Sequence, residues 1–319
     1  MGRRVTVVLI TWNSAPYLRR CLEGIAQQTL PDVELIHVDN ASVDDSVARV
    51  VEVFPRSRQI KNPENRGFAA AANQAIRIAS GDYVALCNPD AYLTPEYLPR
   101  IVDAFERAGE NFGAATGKLM RAKGYDLEPT EEIDSMGIRM TRSGRHFDIT
   151  GHRPPATGNE VFGVSGAAGV YRKSFIINST INNEFFDEDF FAYREDADVA
   201  WRGRLFGWRA MVVPDAIAYH VRSVTPERRR SLSPEINMHS VKNRFLLRLK
   251  NEGAYLAIRN APFELARDLV VIGAALTIER SSFPALRWLW RNRRRILAKR
   301  REIQKRRRVS DRQLAEWFR

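Results

Sequence analysis

A doubly wound α/β fold with a mostly parallel sheet, extended at its carboxyl end by helices, is what this 319-residue sequence predicts. Three observations carry the prediction. Short β-branched runs alternate with amphipathic helical segments over the first ~110 residues. Three of those runs end in polar pairs, and from about Pro234 onward only helical patterning remains.

Val5–Ile10 reads as the first strand, and Thr11-Trp12-Asn13-Ser14 leads into a helix over Tyr17–Gln28 that gathers Leu18, Cys21, Leu22 and Ile25 on one face. Val33–Val38 is the second strand, closed by Asp39-Asn40-Ala41-Ser42. A helix over Asp44–Phe54 follows, then a short third strand at Gln59-Ile60-Lys61 and an alanine-rich helix over Gly67–Ala79. Tyr83–Cys87 is the fourth strand, and Thr94 caps a helix reaching about Ala108. Right-handed crossovers make such a series one open sheet. Arg121–Gly158, rich in glycine, proline and polar residues, reads as a long excursion or flap. Order returns at Val161–Tyr171. Phe185–Phe191 is aromatic and acidic, Glu195–Phe206 is helical, and Arg209–Val213 and Ile217–His220 are strands. The expected division is a catalytic unit over 1–232 and a basic helical extension over 233–319.

The formal net charge of +12 is uneven. Leu286–Arg319 holds fourteen Lys/Arg against three Asp/Glu, which leaves the preceding residues 36 of the 50 basic and 35 of the 38 acidic side chains. The body is close to neutral, and no DNA- or RNA-binding module is recognisable in it, so nucleic acid is not the expected partner. Two cysteines, Cys21 and Cys87, have neither metal-knuckle nor disulfide-framework spacing, which points to a reducing, cytoplasmic setting. Val5–Ile10 is too short for a signal peptide. Leu269–Ile278 is about half of a spanning helix, so integral membrane insertion is not expected.

The strand ends carry the chemistry. Thr11 and Asn13, Asp39 and Asn40, and Asn88 and Asp90 all fall at the carboxyl edge of the sheet, where open α/β folds bind nucleotides. Each is also good turn or capping chemistry. Asn65-Arg66-Gly67-Phe68 opens the alanine-rich helix, where free N–H groups, Gly67 and the Arg66 charge suit a diphosphate, with Asn73 one and a half turns on. No Walker-type loop and no Gly-x-Gly-x-x-Gly is present, which removes kinases, GTPases and dinucleotide dehydrogenases. Glu195 and Asp196 begin a helix; they either complement its dipole or present Asp196 as a general base supported by Glu195 and Arg202. Asp198 and Arg202 form an i,i+4 pair or, with Trp208, meet an acceptor. His220 ends a strand, where imidazole, the Asp90 carboxylate and phosphate oxygens suit Mn²⁺ or Mg²⁺.

Taken in order, Val8-Leu9-Ile10-Thr11-Trp12-Asn13, Val38-Asp39-Asn40-Ala41-Ser42-Val43-Asp44, Asn65-Arg66-Gly67-Phe68-Ala69-Ala70-Ala71-Ala72-Asn73, Leu86-Cys87-Asn88-Pro89-Asp90, Glu195-Asp196-x-Asp198 and His220 resemble the inverting family 2 glycosyltransferases of GT-A fold, and within them the bacterial rhamnosyltransferase-like branch. The resemblance runs from about residue 5 to 225. It implies that Asn88-Pro89-Asp90 stands for an Asp-x-Asp metal motif with Asn in first place. It implies further that Asp39 binds the nucleobase, Thr11 and Asn13 line its pocket, Asp196 is the base, and His220 is a metal ligand. The implied donor is a nucleotide diphosphate-sugar, dTDP-L-rhamnose by analogy or a UDP-hexose or UDP-galactofuranose. The implied acceptor is a glycan or a polyprenyl-diphosphate-linked glycan. A sugar nucleotidyltransferase is the remoter alternative; it would open with a Gly-x-Gly-Thr-Arg-like loop rather than Thr11-Trp12-Asn13-Ser14. A processive synthase would need spanning helices and a Gln-x-x-Arg-Trp motif, both absent from the sequence. Leu286–Arg308 has Leu286, Leu289, Ile296, Leu297 and Ile303 at helical spacing beside Trp288 and Trp290. It reads either as a solvated helix docked on the body or as an amphipathic helix on an anionic membrane, the latter making the chain a peripheral inner-face protein.

Overall fold

Val, Leu and Ile on both faces of the strand β1 (Val5–Thr11) suit a central position in a parallel sheet, and its residues are almost all buried. The structure, a computed structural model, describes residues 4–151, 158–222, 233–277 and 279–319. After β1 come α1 (Ala15–Ala26), β2 (Val33–Asp39), α2 (Ser46–Val53), β3 (Arg58–Lys61), α3 (Gly67–Ile78), β4 (Tyr83–Cys87), β5 (Ala91–Leu93) and α4 (Tyr97–Arg107). Each expected strand and helix of this half is present, within a few residues of its expected bounds. Thr94 does not cap α4: its hydroxyl donates to the Ile217 carbonyl at 2.7 Å, and the helix begins three residues later.

The segment expected as a flap is sheet instead. It takes in the end of β6 (Phe112–Lys123), then β7 (Glu128–Ser135), β8 (Ile138–Met140) and β9 (His146–Asp148). β7 hides from a pattern reading because its first five residues, Glu128–Glu132, lie largely at the surface while only Ile133, Asp134 and Ser135 are buried. Next come β10 (Glu160–Val161), β11 (Val170–Arg172), α5 (Lys173–Ser179), α6 (Glu195–Leu205) and β12 (Arg209–His220). The two strands expected over 209–220 are one strand, with its register on β6 shifted between Arg209 and Ala210 and again between Val213 and Ile217, around Pro214. The main sheet runs β10-β12-β6-β11-β4-β1-β2-β3, with β5 on β12 and β7 on β6. β3, β2, β1 and β4 are mutually parallel, as are β6 and β12, while β11 is antiparallel to both β4 and β6.

One face of the sheet buries Val5, Val7 and Leu9 against Leu18 and Leu22 of α1 and Leu98, Ile101 and Phe105 of α4. The other buries Val8, Ile36 and Val38 under the alanines of α3, with Phe185 and Phe186 beyond them.

The carboxyl extension is helical throughout its described residues: α7 (Pro234–Asn251), α8 (Ala254–Thr277), α9 (Phe283–Arg291), α10 (Arg293–Lys305) and α11 (Asp311–Leu314), with short 3₁₀ turns. It shares a core with the sheet domain, because Leu246, Leu247, Leu256, Ile296, Ile303, Leu314 and Phe318 pack with Phe162, Phe190, Trp201 and Leu205. Of the apolar stripe expected to meet a membrane from Leu286–Arg308, Ile296 (2% exposed) and Ile303 (0%) face protein, while Leu297 is 49% exposed. A buried ionic cluster lies beneath α10, where Lys299 Nζ meets Asp187 Oδ1 (2.6 Å), Glu184 Oε2 (2.9 Å) and Asp189 Oδ2 (3.1 Å).

Candidate active site

Parallel pairing brings the ends of β1, β2 and β4 to one edge, with Thr11 opposite Asp39. The Thr11 hydroxyl donates to Asp39 Oδ1 at 2.9 Å, and Asp39 Oδ2 accepts the Ser42 N–H at 3.0 Å, so Thr11 acts on the pocket through Asp39. Exposed Asn13, at φ 51°, accepts the Val43 N–H on Oδ1 and stitches the first two loops together. Asn40 is buried; its amide donates to the Gly67 carbonyl and its oxygen accepts from Asn62.

Three expectations about α3 need correction. Gly67 (φ 79°) is required by protein: a Cβ there would stand 2.6 Å from the Phe191 carbonyl oxygen. The amides of the first turn are partly taken, since Gly67 N–H donates to Asn65 Oδ1 and Ala69 N–H to the Phe191 carbonyl. Of the anion-binding features read from the sequence, Arg66 is the exposed one. Asn73 faces the protein. It accepts the Phe185 and Phe186 N–H groups and donates to the Phe186 carbonyl (2.7 Å) and Glu188 Oε1 (3.1 Å), clamping the aromatic-acidic segment. Phe68 packs edge-on against Phe186.

The Asn88 turn is where the expected residues converge. Pairing of β5 with β12 sets His220 opposite Ala91, which brings His220 Nε2 to 3.4 Å from Asp90 Oδ1. The other ring nitrogen, Nδ1, meets Asp134 Oδ2 at 2.9 Å, and Asp134 is fully buried. Arg222 links Asp134 (Nε to Oδ1, 2.8 Å) to Asp148 (2.7 Å). Burial disfavours the charged imidazole, but Asp90 and Asp134 outweigh it and push His220 up to about 10. Burial works against Asp134 in the same way, while His220 and Arg222 hold it below the usual carboxylate range. Asp134, Asp148 and Arg222 were missed in the sequence. The two acids lie in the misread flap, and a strand's isolated carboxylate has no signature.

Asp196 stands close by. Its Oδ2 accepts the Gly166 N–H at 3.2 Å, and the next residue, Ala167, accepts the Asn88 N–H at 2.9 Å, so a two-residue bridge joins the α6 start to the Asn88 turn. Burial first, then Asp148, raise Asp196 to about 6. Glu195, with Oε2 buried and without a hydrogen-bond partner, is pushed well above its ordinary value by burial and by Asp196. Both acids are thereby raised, and Asp196 is brought to where it ionises near neutrality. The approach to α6 is strained: Phe191, Tyr193 and Arg194 all have φ between 66° and 73°. Asn243 of α7 holds this segment by donating to the carbonyls of Phe190, Ala192 and Tyr193.

Arg202 and Asp198 are interior groups. Arg202 is 1% exposed and donates to the Ser179 and Phe185 carbonyls and to Asp198; Asp198, 0% exposed, also takes Lys250 and Asn251. This corrects the reading of Arg202 as a group supporting the base and of Asp198 as an acceptor contact. Trp208, hydrogen-bonded to Asn178, lines with Tyr171, Phe175 and Val199 a small pocket that Asp196 also borders.

An open sheet with carboxylates at its switch edge and this helical complement defines a GT-A type of transferase fold. The family described as "Glycosyl transferase family 2" matches residues 6–178, more than half of the chain, and the chain belongs to that family. An uncharacterized glycosyltransferase of Bacillus subtilis is 34% identical over 107 residues, 33% of this chain and 39% of the relative, so the shared stretch is about two-fifths of that protein. The N-acetylglucosaminyl-diphospho-decaprenol L-rhamnosyltransferase of Mycobacterium tuberculosis is 26% identical over 242 residues, covering 67% of this chain and 75% of the relative. Among solved structures, a mannosyltransferase of Pyrobaculum calidifontis in complex with GDP-Man and Mn²⁺ superposes with a TM-score of 0.55 at 21% identity, covering 96% of this chain and 84% of that one.

Proposed function

We propose that this glycosyltransferase inverts the anomeric centre in a single displacement, taking a sugar from a nucleotide diphosphate to a hydroxyl of a glycan or polyprenyl-diphosphate-linked acceptor in cell-surface polysaccharide synthesis. The observation that carries the reading is Asp196, an ionisable carboxylate beside buried Glu195, joined through Gly166-Ala167 to the Asn88 turn. The Asp196 carboxylate takes the acceptor hydroxyl's proton as that oxygen attacks from the face opposite the leaving diphosphate. Asp39 and the stitched loops bearing Thr11, Asn13 and Asn40 hold the nucleoside, and exposed Arg66 meets the phosphates. The pocket at Trp208 borders the acceptor side.

The residues at the Asn88 turn fit a divalent cation. Asp90 and His220 Nε2 converge, and buried Asp134 on Nδ1 orients the imidazole as metal-binding histidines are oriented. Asp90 and His220 would hold Mg²⁺ or Mn²⁺; such an ion neutralises diphosphate charge. Two protein ligands are few, and no cluster of three candidate ligands occurs among the described residues, so the sugar-diphosphate itself would complete the shell.

dTDP-L-rhamnose is the preferred donor, supported by the mycobacterial relative; UDP-sugars are the alternative. The test is a panel of nucleotide-sugars read by thermal shift with and without Mn²⁺, followed by NMR of the product's anomeric configuration. Stabilisation by one donor and an inverted product are expected. A retained configuration, or no response to any donor, overturns the proposal.

A further inference from the structure

The helix α8 is built inside out. Surface helices of soluble domains bury an apolar stripe and show water a polar face. From Ile258 to Leu276, every exposed residue of α8 is apolar or glycine: Ile258 (78%), Leu265 (62%), Leu269 (73%), Val270 (59%) and Leu276 (51%) dominate, and Phe263 is 46% exposed. The charged residues of that span, Arg259, Glu264, Arg267 and Asp268, are all buried or half-buried. Glu264 and Asp268 pair with Arg248 of α7, Asp268 also with Arg244, and Asn260 is 0% exposed. The inward face is thus fixed by ion pairs to the rest of the molecule. The outward face is a row of aliphatic side chains about 27 Å long at 1.5 Å per residue.

The neighbouring surface is basic and aromatic. α8 and α9 both lie on α7, through Val241, Val271 and Ala285. On α9 and the start of α10, Phe283 (50%) and Trp290 (67%) are exposed together with Arg287, Arg291, Arg293 and Arg294, and the Arg293 guanidinium sits 4.3 Å over the Trp290 ring. The described residues contain no helix long and apolar enough to cross a membrane.

We infer that α8, with the α9–α10 junction beside it, is the face by which the protein lies on an anionic lipid bilayer. An aliphatic row enters the acyl boundary, indole and phenyl groups sit at headgroup depth, and arginines meet lipid phosphates. A second copy of the chain would bring the same arginines to the contact, so the basic rim favours an anionic surface over self-association. This surface shares Trp290 and its neighbouring arginines with the one expected in the sequence but takes its aliphatic row from α8, since α10 turns Ile296 and Ile303 inward. The inference adds a location to the reading of a lipid-linked acceptor and rests on that reading for its purpose only.

The test uses the full chain with phosphatidylcholine vesicles and with vesicles containing a quarter phosphatidylglycerol, read by co-sedimentation. Wild type should bind the anionic vesicles, and binding should weaken with salt. The double variant Leu265→Glu/Leu269→Glu should lose tenfold or more of the partition coefficient. Arg291→Gln/Arg294→Gln should weaken binding to anionic vesicles while leaving the fold unchanged. Circular dichroism and the nucleotide-sugar thermal shift, measured on each variant, show that folding and donor binding are intact. Undiminished binding by the α8 variant overturns the inference, as does a wild-type dimer in sedimentation velocity that this variant dissociates. Vesicle binding without any nucleotide response would instead leave this face standing and remove the glycosyl-transfer reading.

Discussion

The pH dependence of transfer isolates Asp196. Burial and Asp148 raise its carboxyl from an ordinary 3.8 to about 6. A base works in its ionised form, so the rate should rise with pH through about 6 and be lost below it. The ionised fraction is about 91% at pH 7 and about 9% at pH 5, which gives roughly a tenfold fall in kcat/KM across that interval. Asp148 is one cause of the raised value, so Asp148→Asn should move the rising limb to lower pH while leaving the limb itself present. Asp196→Asn preserves shape and should cut turnover by about 10² or more with little change in donor affinity. The assay is initial-rate transfer from pH 4.5 to 8.5 in buffers of constant ionic strength, with thermal melting at each end to exclude unfolding. A limb that survives in Asp196→Asn, or one that Asp148→Asn leaves in place, refutes the assignment of that limb to Asp196.

Further outcomes bear on the metal site and on the extension. Asp90→Ala should abolish Mn²⁺-dependent stabilisation by nucleotide-sugar, and Asp134→Asn, which would not itself ligate the metal, should weaken Mn²⁺ affinity by about 10–100-fold in calorimetric titration; transfer undiminished in EDTA would return Asn88-Pro89-Asp90 to a simple turn. Lys299→Met leaves Glu184, Asp187 and Asp189 crowded without that cation and should cost about 3–5 kcal/mol in denaturant unfolding, so a cost below about 1 kcal/mol would show that the cluster is not a stabilising contact.

The amino half of the fold was legible because its signals are strong and local. Val5–Ile10 and Tyr83–Cys87 are uninterrupted apolar runs, and α1 repeats its leucines at helical spacing. β7 was illegible because five surface residues precede three buried ones, so neither alternation nor an apolar run appears. Side-chain roles were harder to read than elements. Gly67 and Asn73 at a helix start suit a phosphate or a protein carbonyl equally well, and the competing carbonyls of Phe186 and Phe191 lie more than a hundred residues away. Asp198 and Arg202 were rightly paired on one helix, but nothing local says that the pair is interior. For Leu286–Arg308 the pattern specified a helical segment with an apolar stripe. A stripe alone does not distinguish a protein core from a bilayer, and here Ile296 and Ile303 meet the core.

The stretch that establishes the family, residues 6–178, ends before Asp196 and His220. The family stretch thus covers most of the sheet, while the proposed base Asp196 comes from a later segment held by the extension. Asn73 of α3 grips the 185–188 segment from one side, and Lys299 of α10 grips Glu184, Asp187 and Asp189 from the other. Asn243 of α7 then holds the carbonyls of Phe190, Ala192 and Tyr193 just before Arg194, whose left-handed backbone starts the helix bearing Asp196. Left-handed conformations at three non-glycine residues cost about 1 kcal/mol or more each, and they persist only when surrounding groups over-determine them. Docking of α7 and α10 supplies those groups. With Asp196 proposed as the base, the helical extension holds the segment that aims it, and loosening the extension should lower kcat before it disturbs binding of the nucleotide.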